Sequence, residues 1–334
     1  MFKRKLGAAL AAFALVTAAT ATEARELRLG TSAPEKSPWG QFYLMFGKDL
    51  AERSGGKLTI NPFFSAALGD EQQMVRQAAR GRIDMVGVST TAASLMVPEF
   101  ALIGAPYLFD DLKQADCVAD EHLVKQFAPM FIEKGLRPMT WTEVGYQVLF
   151  GMNPIKVPDD VKGTKVRAAP TKTDMSFLTS VGATAVPLGV QDIMPALKTG
   201  GVSAASLPIV YGVAVGYHKV ATQISATRHV HQLGVNFISE KVWKSLSAQE
   251  QAWLNESSAK VFPGLRQAIR QAEVGLLKKA VAEGATLYEP TADELKLWAA
   301  SAPATYQEVI KETGGKTQQI YLEIVRAKAA CTNK

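Results

Sequence analysis

The chain has 334 residues, 47% hydrophobic and 20% charged, with a formal net charge of +6. That composition excludes a disordered or fibrous chain, and the length suits two domains that each bury a core. Two cysteines are too few for a disulfide-built scaffold or a four-thiolate zinc site.

Lys3, Arg4 and Lys5 precede an apolar run, Leu6 to Ala19, broken only by Gly7 and Thr17. Small residues follow, with cleavage options after Ala21 or Ala24. This plan predicts a secretory signal peptide over 1–24, since a spanning helix needs ~20 apolar residues. Losing Lys3, Arg4, Lys5 and Glu23 lowers +6 to about +4, so much of the basic bias is targeting signal. No Lys/Arg run remains that would track phosphates, and no nucleic-acid partner is expected. Export implies an oxidising compartment, where two free thiols are unusual. Cys117 and Cys331 are therefore candidates for one disulfide, the alternative being two buried or free thiols.

Glu26 to Gly30 alternates and ends in glycine, the pattern of a first strand. Thr31 to Gly40 is a loop with two prolines, and Gln41 to Arg53 has helical spacing stopped by Ser54-Gly55-Gly56. Lys57 to Phe64 predicts a strand, Leu68-Gly69-Asp70 opens a helix through Arg80, and Ile83 to Val88 is a short buried strand. This spacing is an α/β unit with a largely parallel sheet. A second such unit follows: strand approach at Pro138 to Trp141, strand Lys165 to Ala168, helix Thr173 to Val181, strand-like Thr184 to Pro187, helix Asp192 to Thr199 and strand-like Ser203 to Ser206. From Leu246 onward the pattern is nearly all helical, with Ser247 capping a run through Phe262 and a second long helix after Pro263-Gly264 to about Glu283.

The sequence holds no Gly-x-Ser-x-Gly, P-loop, post-strand dinucleotide fingerprint or His-Glu-x-x-His. Acidic pairs Asp110-Asp111 and Asp159-Asp160 fall at turns and helix starts. His229 and His231, two apart on a strand, share a face and with His218 or a carboxylate could bind a metal; the alternative, a solvated or packed pair, is preferred because no third ligand stands at motif spacing. Neither an enzyme, a cofactor nor a metal is therefore expected.

Several segments follow one another in family order: Leu27-Arg28-Leu29-Gly30, Gly55-Gly56-Lys57, Leu68-Gly69-Asp70-Glu71 and Gly81-Arg82-Ile83-Asp84-Met85. Pro98-Glu99-Phe100, Ala105-Pro106-Tyr107-Leu108-Phe109 and the long block Val157 to Arg167 come next, then Gly182-Ala183-Thr184, Val186-Pro187 and Leu197 to Gly200. The series resembles the extracytoplasmic solute-binding subunit of a tripartite ATP-independent periplasmic (TRAP) transporter, the C4-dicarboxylate-binding-protein-like family. The resemblance implies a two-lobed α/β clamshell crossed by a long helix, with lobe one at 25–144 plus 233–272 and lobe two at 145–232 plus 273–334. It implies that ligand binds between lobes that close by hinge motion, and that the closed monomer docks on an ion-gradient-driven membrane permease.

By the same resemblance, Arg167 is the arginine that grips a ligand carboxylate, through two parallel charge-assisted bonds. The family's second arginine is Gln147 here, in Gly145-Tyr146-Gln147, and Leu207 stands where a ligand-facing asparagine is usual. Ser89 replaces an often acidic residue, and Glu71 keeps an acidic position near the cleft mouth. Thr90, Tyr146 and Tyr211 are expected cleft neighbours, and Trp39 and Trp141 are walls or core. One cation and one amide are thus missing, and an unpaired second carboxylate is costly to bury. The expected ligand is a small organic acid with one carboxylate and an apolar or aromatic remainder, taken up in the periplasm. A dicarboxylate binder, a ligand sensor feeding a membrane receptor, an ATP-driven importer and an exported hydrolase or lyase are the alternatives.

Overall fold

The computed structural model describes residues 24–332; the expected signal peptide lies almost entirely outside them. Strand β1 (Arg25–Thr31) leads into α1 (Pro38–Ser54). Helix α1 begins where Ser37 accepts the Gly40 N–H and Pro38 supplies its fixed φ, and ends at Gly55. Its Trp39, Tyr43, Phe46 and Leu50 recur at helical spacing and are buried. Next come β2 (Leu58–Phe63), α2 (Glu71–Ala79), β3 (Met85–Ser89), the short α3 (Thr90–Ala93), α4 (Leu112–Val118) and α5 (Val124–Glu133). The long strand β4 (Leu136–Gly151) opens the second half, followed by β5 (Lys165–Ala168), α6 (Lys172–Ser180), β6 (Thr184–Pro187), α7 (Val190–Lys198), β7 (Ala204–Pro208) and α8 (Ile209–Val215). A second long strand, β8 (Gln223–Ser239), precedes α9 (Glu240–Ser245), α10 (Ala248–Val261), α11 (Pro263–Ala282), β9 (Thr286–Tyr288), α12 (Ala292–Ala299), α13 (Ala302–Thr313) and α14 (Thr317–Cys331).

One sheet runs through the molecule in the order β2-β1-β3-β8-β4-β7-β5-β6, with β9 on β8. Its two outer groups, β2-β1-β3 and β7-β5-β6, are parallel, as the two α/β units predict. Between them β4 and β8 pair antiparallel along their length, with register shifts at Pro138/Thr140, Glu143/Gly145 and Gln147/Leu149. These two strands belong to both halves. Residues 234–238 of β8 pair with β3, and residues 147–151 of β4 pair with β7. The sequence reading finds only the first few residues of β4 and does not delimit β8 or β9, because bulges break the period-2 pattern.

Helix α11 is the long helix that crosses both halves. Its Leu265 and Ile269 pack with Phe46 and Leu50, while Leu277 and Ala280 pack with Phe150 and Ile224. The assignment of 273–334 to lobe two needs correction at its end. Val309, Ile310, Ile320, Ile324, Ala327 and Cys331 belong to the core around Phe100 and Phe127, in the first half. The apolar faces of α13 and α14 find their cover there, and a disulfide joins Cys331 to Cys117 on α4, with Cα atoms 5.8 Å apart. Trp141 is also core: it stacks on Phe100 at 5.3 Å and is not a cleft wall.

Candidate functional site

The strand ends of both parallel groups face a cleft of about 910 Å³, open space at its mouth included. From the first half it receives Trp39 and Tyr43 of α1, Glu71 of α2 and Ser89 of β3; from the second, Arg167, Leu207 and Tyr211. Gln147 of β4 and Gln232 of β8 lie between them.

Arg167 lies on β5 one residue before its end, is 4% exposed, and is held by backbone carbonyls. Its Nε donates to Leu188 O at 3.0 Å and its Nη1 to Ser206 O at 2.7 Å. Among the described residues Nη2 has no partner, and no carboxylate forms an ion pair with the guanidinium. Burial pulls the Arg167 pKa down, while the nearby Asp174 charge pushes it up. Arginine stays cationic under such a pull. It is the sole cation among the described residues lining the cleft.

Glu71, the first residue of α2, is half-buried there. Ser32 Oγ donates to its Oε1 at 2.9 Å, and Ser89 Oγ to its Oε2 at 2.6 Å. Burial raises its pKa, against the opposing effect of those hydroxyl bonds. Trp39 is fixed by Nε1–H donation to Glu143 O at 2.8 Å, and Tyr43 by hydroxyl donation to Asn236 Oδ1 at 2.7 Å. Tyr43 fits because residue 87 is glycine: a Cβ there would stand 1.7 Å from its hydroxyl oxygen.

Behind Arg167 lies a buried polar cluster of Asp174, Ser206, His229 and Gln147. Asp174 Oδ2 accepts the Ala169 N–H, and Ser206 Oγ meets Gln147 Oε1, Asp174 Oδ1 and His229 Nε2 at 3.0, 3.1 and 3.0 Å. Among the described residues no group of His, Cys, Asp and Glu could hold a metal ion. His229 stacks on Phe177, whereas His231 lies 3.3 Å from Glu143.

Residues 29–313 match the model of the bacterial extracellular solute-binding protein family 7. The chain belongs to this family. Among its relatives is the sialic acid-binding periplasmic protein of Vibrio cholerae, 23% identical over 290 residues, covering 84% of this chain and 88% of that one. Similar solved structures include the sugar acid binding protein of Advenella mimigardefordensis in complex with galactonate, with a TM-score of 0.86, 24% identity and coverage of 91% and 99%. Another is a TRAP periplasmic solute binding protein of Bordetella bronchispeptica with density assigned as pantoate, with a TM-score of 0.82, 24% identity and coverage of 89% and 98%. The two-lobed fold and the role of an extracellular solute-binding protein follow.

Within this family 7 chain, Arg167, Gln147, Glu71, Ser89, Leu207, Tyr211 and Trp39 all line the cleft. Thr90 and Tyr146 do not. Thr90 begins α3 and faces a smaller neighbouring pocket, leaving Thr91 on the cleft wall. Tyr146 alternates with Gln147 along β4 and turns toward His231, at a ring distance of 5.3 Å. The sequence reading missed Tyr43, Gln232 and Asp174, and weighed His229 only as a partner of His231. Tyr43 was accessible, lying one helical turn after Trp39 on the same face.

Proposed function

We propose that this protein captures an organic monocarboxylate in its interlobe cleft. The observation that carries this reading is the guanidinium of Arg167, desolvated, fixed by two backbone carbonyls and without a carboxylate in ion-pair contact among the described residues. A ligand carboxylate completes it with charge-assisted bonds. With Gln147 in place of a second cation, a second ligand carboxylate would stand near Glu71 without compensation. Glu71 and its two serines instead suit a ligand hydroxyl, and Trp39, Val88, Leu207 and Pro208 suit an apolar stretch. The galactonate and pantoate of the structural neighbours are acids of this general kind.

The remaining site assignments belong to the same proposal: Gln147 beside the carboxylate, Ser89 and Glu71 at the hydroxyl end, and Tyr211 and Trp39 as walls. We place the lobe boundaries at 144/145 and 232/233, supported by the register shift between Glu143 and Gly145. The chain acts in the periplasm and hands its ligand to a TRAP permease. A thermal-shift screen of pantoate, galactonate, galacturonate and C4-dicarboxylates tests the ligand class. A ligand at 100 times its Kd stabilises by about 2.7 kcal/mol. Stabilisation by dicarboxylates alone overturns the monocarboxylate assignment. Arg167→Ala removes the charged partner and weakens binding by about 2–5 kcal/mol; unchanged binding overturns the anchor.

A further inference from the structure

Ser206 Oγ has one proton to donate and can accept two, yet two oxygens and a histidine nitrogen surround it. Burial drives the His229 pKa down to about 3, so its ring is neutral. In the tautomer in which Thr227 Oγ1, 2.8 Å from Nδ1, donates to that nitrogen, the ring proton sits on Nε2, pointing at Ser206. Two proton arrangements then satisfy the cluster. If Asp174 is ionised, it takes the Ser206 proton, and Gln147 must turn its amide NH2 inward and its oxygen toward the cleft. If Asp174 is protonated, its O–H donates to Ser206, Ser206 donates to Gln147 Oε1, and the Gln147 NH2 faces the cleft beside Arg167.

The charges favour the second arrangement once ligand is bound. In the free cleft Arg167 offsets Asp174, its largest electrostatic partner after burial. A docked carboxylate claims that guanidinium and leaves Asp174 a buried anion with no compensating charge. We propose that Asp174 takes up one proton from solvent when a carboxylate docks on Arg167, and that this proton holds Gln147 as a donor to the same carboxylate. Asp174 is thus a positioning residue, acting through Ser206 and Gln147. A small pocket of about 270 Å³, open space included, provides the route for the proton: Asp174 and Thr173 line it, and it shares Thr91, Gln147 and Gln232 with the cleft.

The charged and titratable groups facing Asp174 are Arg167 from β5 and His229 from β8. Burial raises the Asp174 pKa and the Arg167 charge lowers it, with a net rise. On the other elements packed against α6, Glu312 of α13 pairs with Lys172 at the solvent edge, and Glu99 of the 98–104 segment is half-buried. Glu71 lies across the cleft as the competing proton acceptor.

This inference rests on carboxylate binding at Arg167, and titration calorimetry separates the two. Pantoate and acetate are the probes, each titrated in two buffers of different ionisation enthalpy, at about pH 5.5 and about pH 8. Above the Asp174 pKa of the free protein the wild type takes up close to one proton per bound probe, and its affinity falls up to about tenfold per pH unit. Asp174→Asn, whose amide mimics the protonated acid, binds at the higher pH with no proton uptake and a flat profile; Glu71→Gln keeps the uptake. Binding by the wild type without proton uptake overturns the inference alone. Uptake that survives in Asp174→Asn and vanishes in Glu71→Gln overturns it too. Absence of binding by any carboxylate at either pH overturns the underlying functional reading as well.

Discussion

Asp174 is the third residue of α6, after the cap Thr171, where an acid is ordinarily explained by the helix macrodipole. Nothing in the sequence separates that role from the buried one it occupies between Ala169 and Ser206. Arg167 was legible because a motif fixes its place near the end of a short strand; its anchoring was not, since that depends on the Leu188 and Ser206 carbonyls from other segments. Gly87 shows the same dependence. Its value lies in the space it leaves for Tyr43, which comes from a helix some forty positions earlier. Gly87→Ala forces the phenol out of the cleft, an overpacking cost of about 1–3 kcal/mol, and weakens ligand-induced stabilisation. Adding Tyr43→Phe, which removes the clashing hydroxyl, recovers part of the lost Tm. A Tm unchanged by Gly87→Ala contradicts the packing argument.

The elements at the junction of the halves carry the charged network. Arg270 of α11 donates to Glu143 of β4 and to Asp116 of α4, and Arg266 pairs with Asp120. Burial opposes ionisation of Glu143, but bonds from His231 and Arg270 outweigh it and hold its pKa below the usual range. Glu273, one turn further along α11, accepts the Tyr146 N–H at 2.7 Å, against Gly145 with φ 102°. Burial pushes its pKa from 4.5 up to about 7. The native state therefore binds more protons than the unfolded chain between those values. The stability this contributes is complete below 4.5 and is lost as pH rises through about 7. Glu273→Gln keeps the acceptor without the ionisation, so its Tm advantage over wild type grows from acidic to mildly alkaline pH. A pH-independent difference rejects the assignment. The cap at Ser247 was readable because capping is decided within one turn, whereas the sequence reading places the start of α1, at Ser37 and Pro38, in a loop.

At the scale of the whole molecule, α14 is bound to the first half by apolar burial and by the Cys117–Cys331 disulfide, 214 positions apart. Closing so long a loop in the unfolded chain is worth roughly 5 kcal/mol in the chain-entropy model. Reduction lowers Tm and loosens α14 while sparing the cleft, whose lining includes neither cysteine. Thiol alkylation without reductant leaves the mass unchanged; a mass increase refutes the pairing.

Local rules and an ordered set of motifs in the sequence determined two α/β units in series, the helical C-terminal portion, the family and Arg167. Their causes lie within a few residues: capping, glycine stops and strand alternation. Only the tertiary structure decided where Trp141 and α14 pack, how far β4 and β8 extend, and which residues surround Ser206. Those outcomes depend on competition among distant segments for one buried surface and for one hydroxyl proton, which no local spacing encodes.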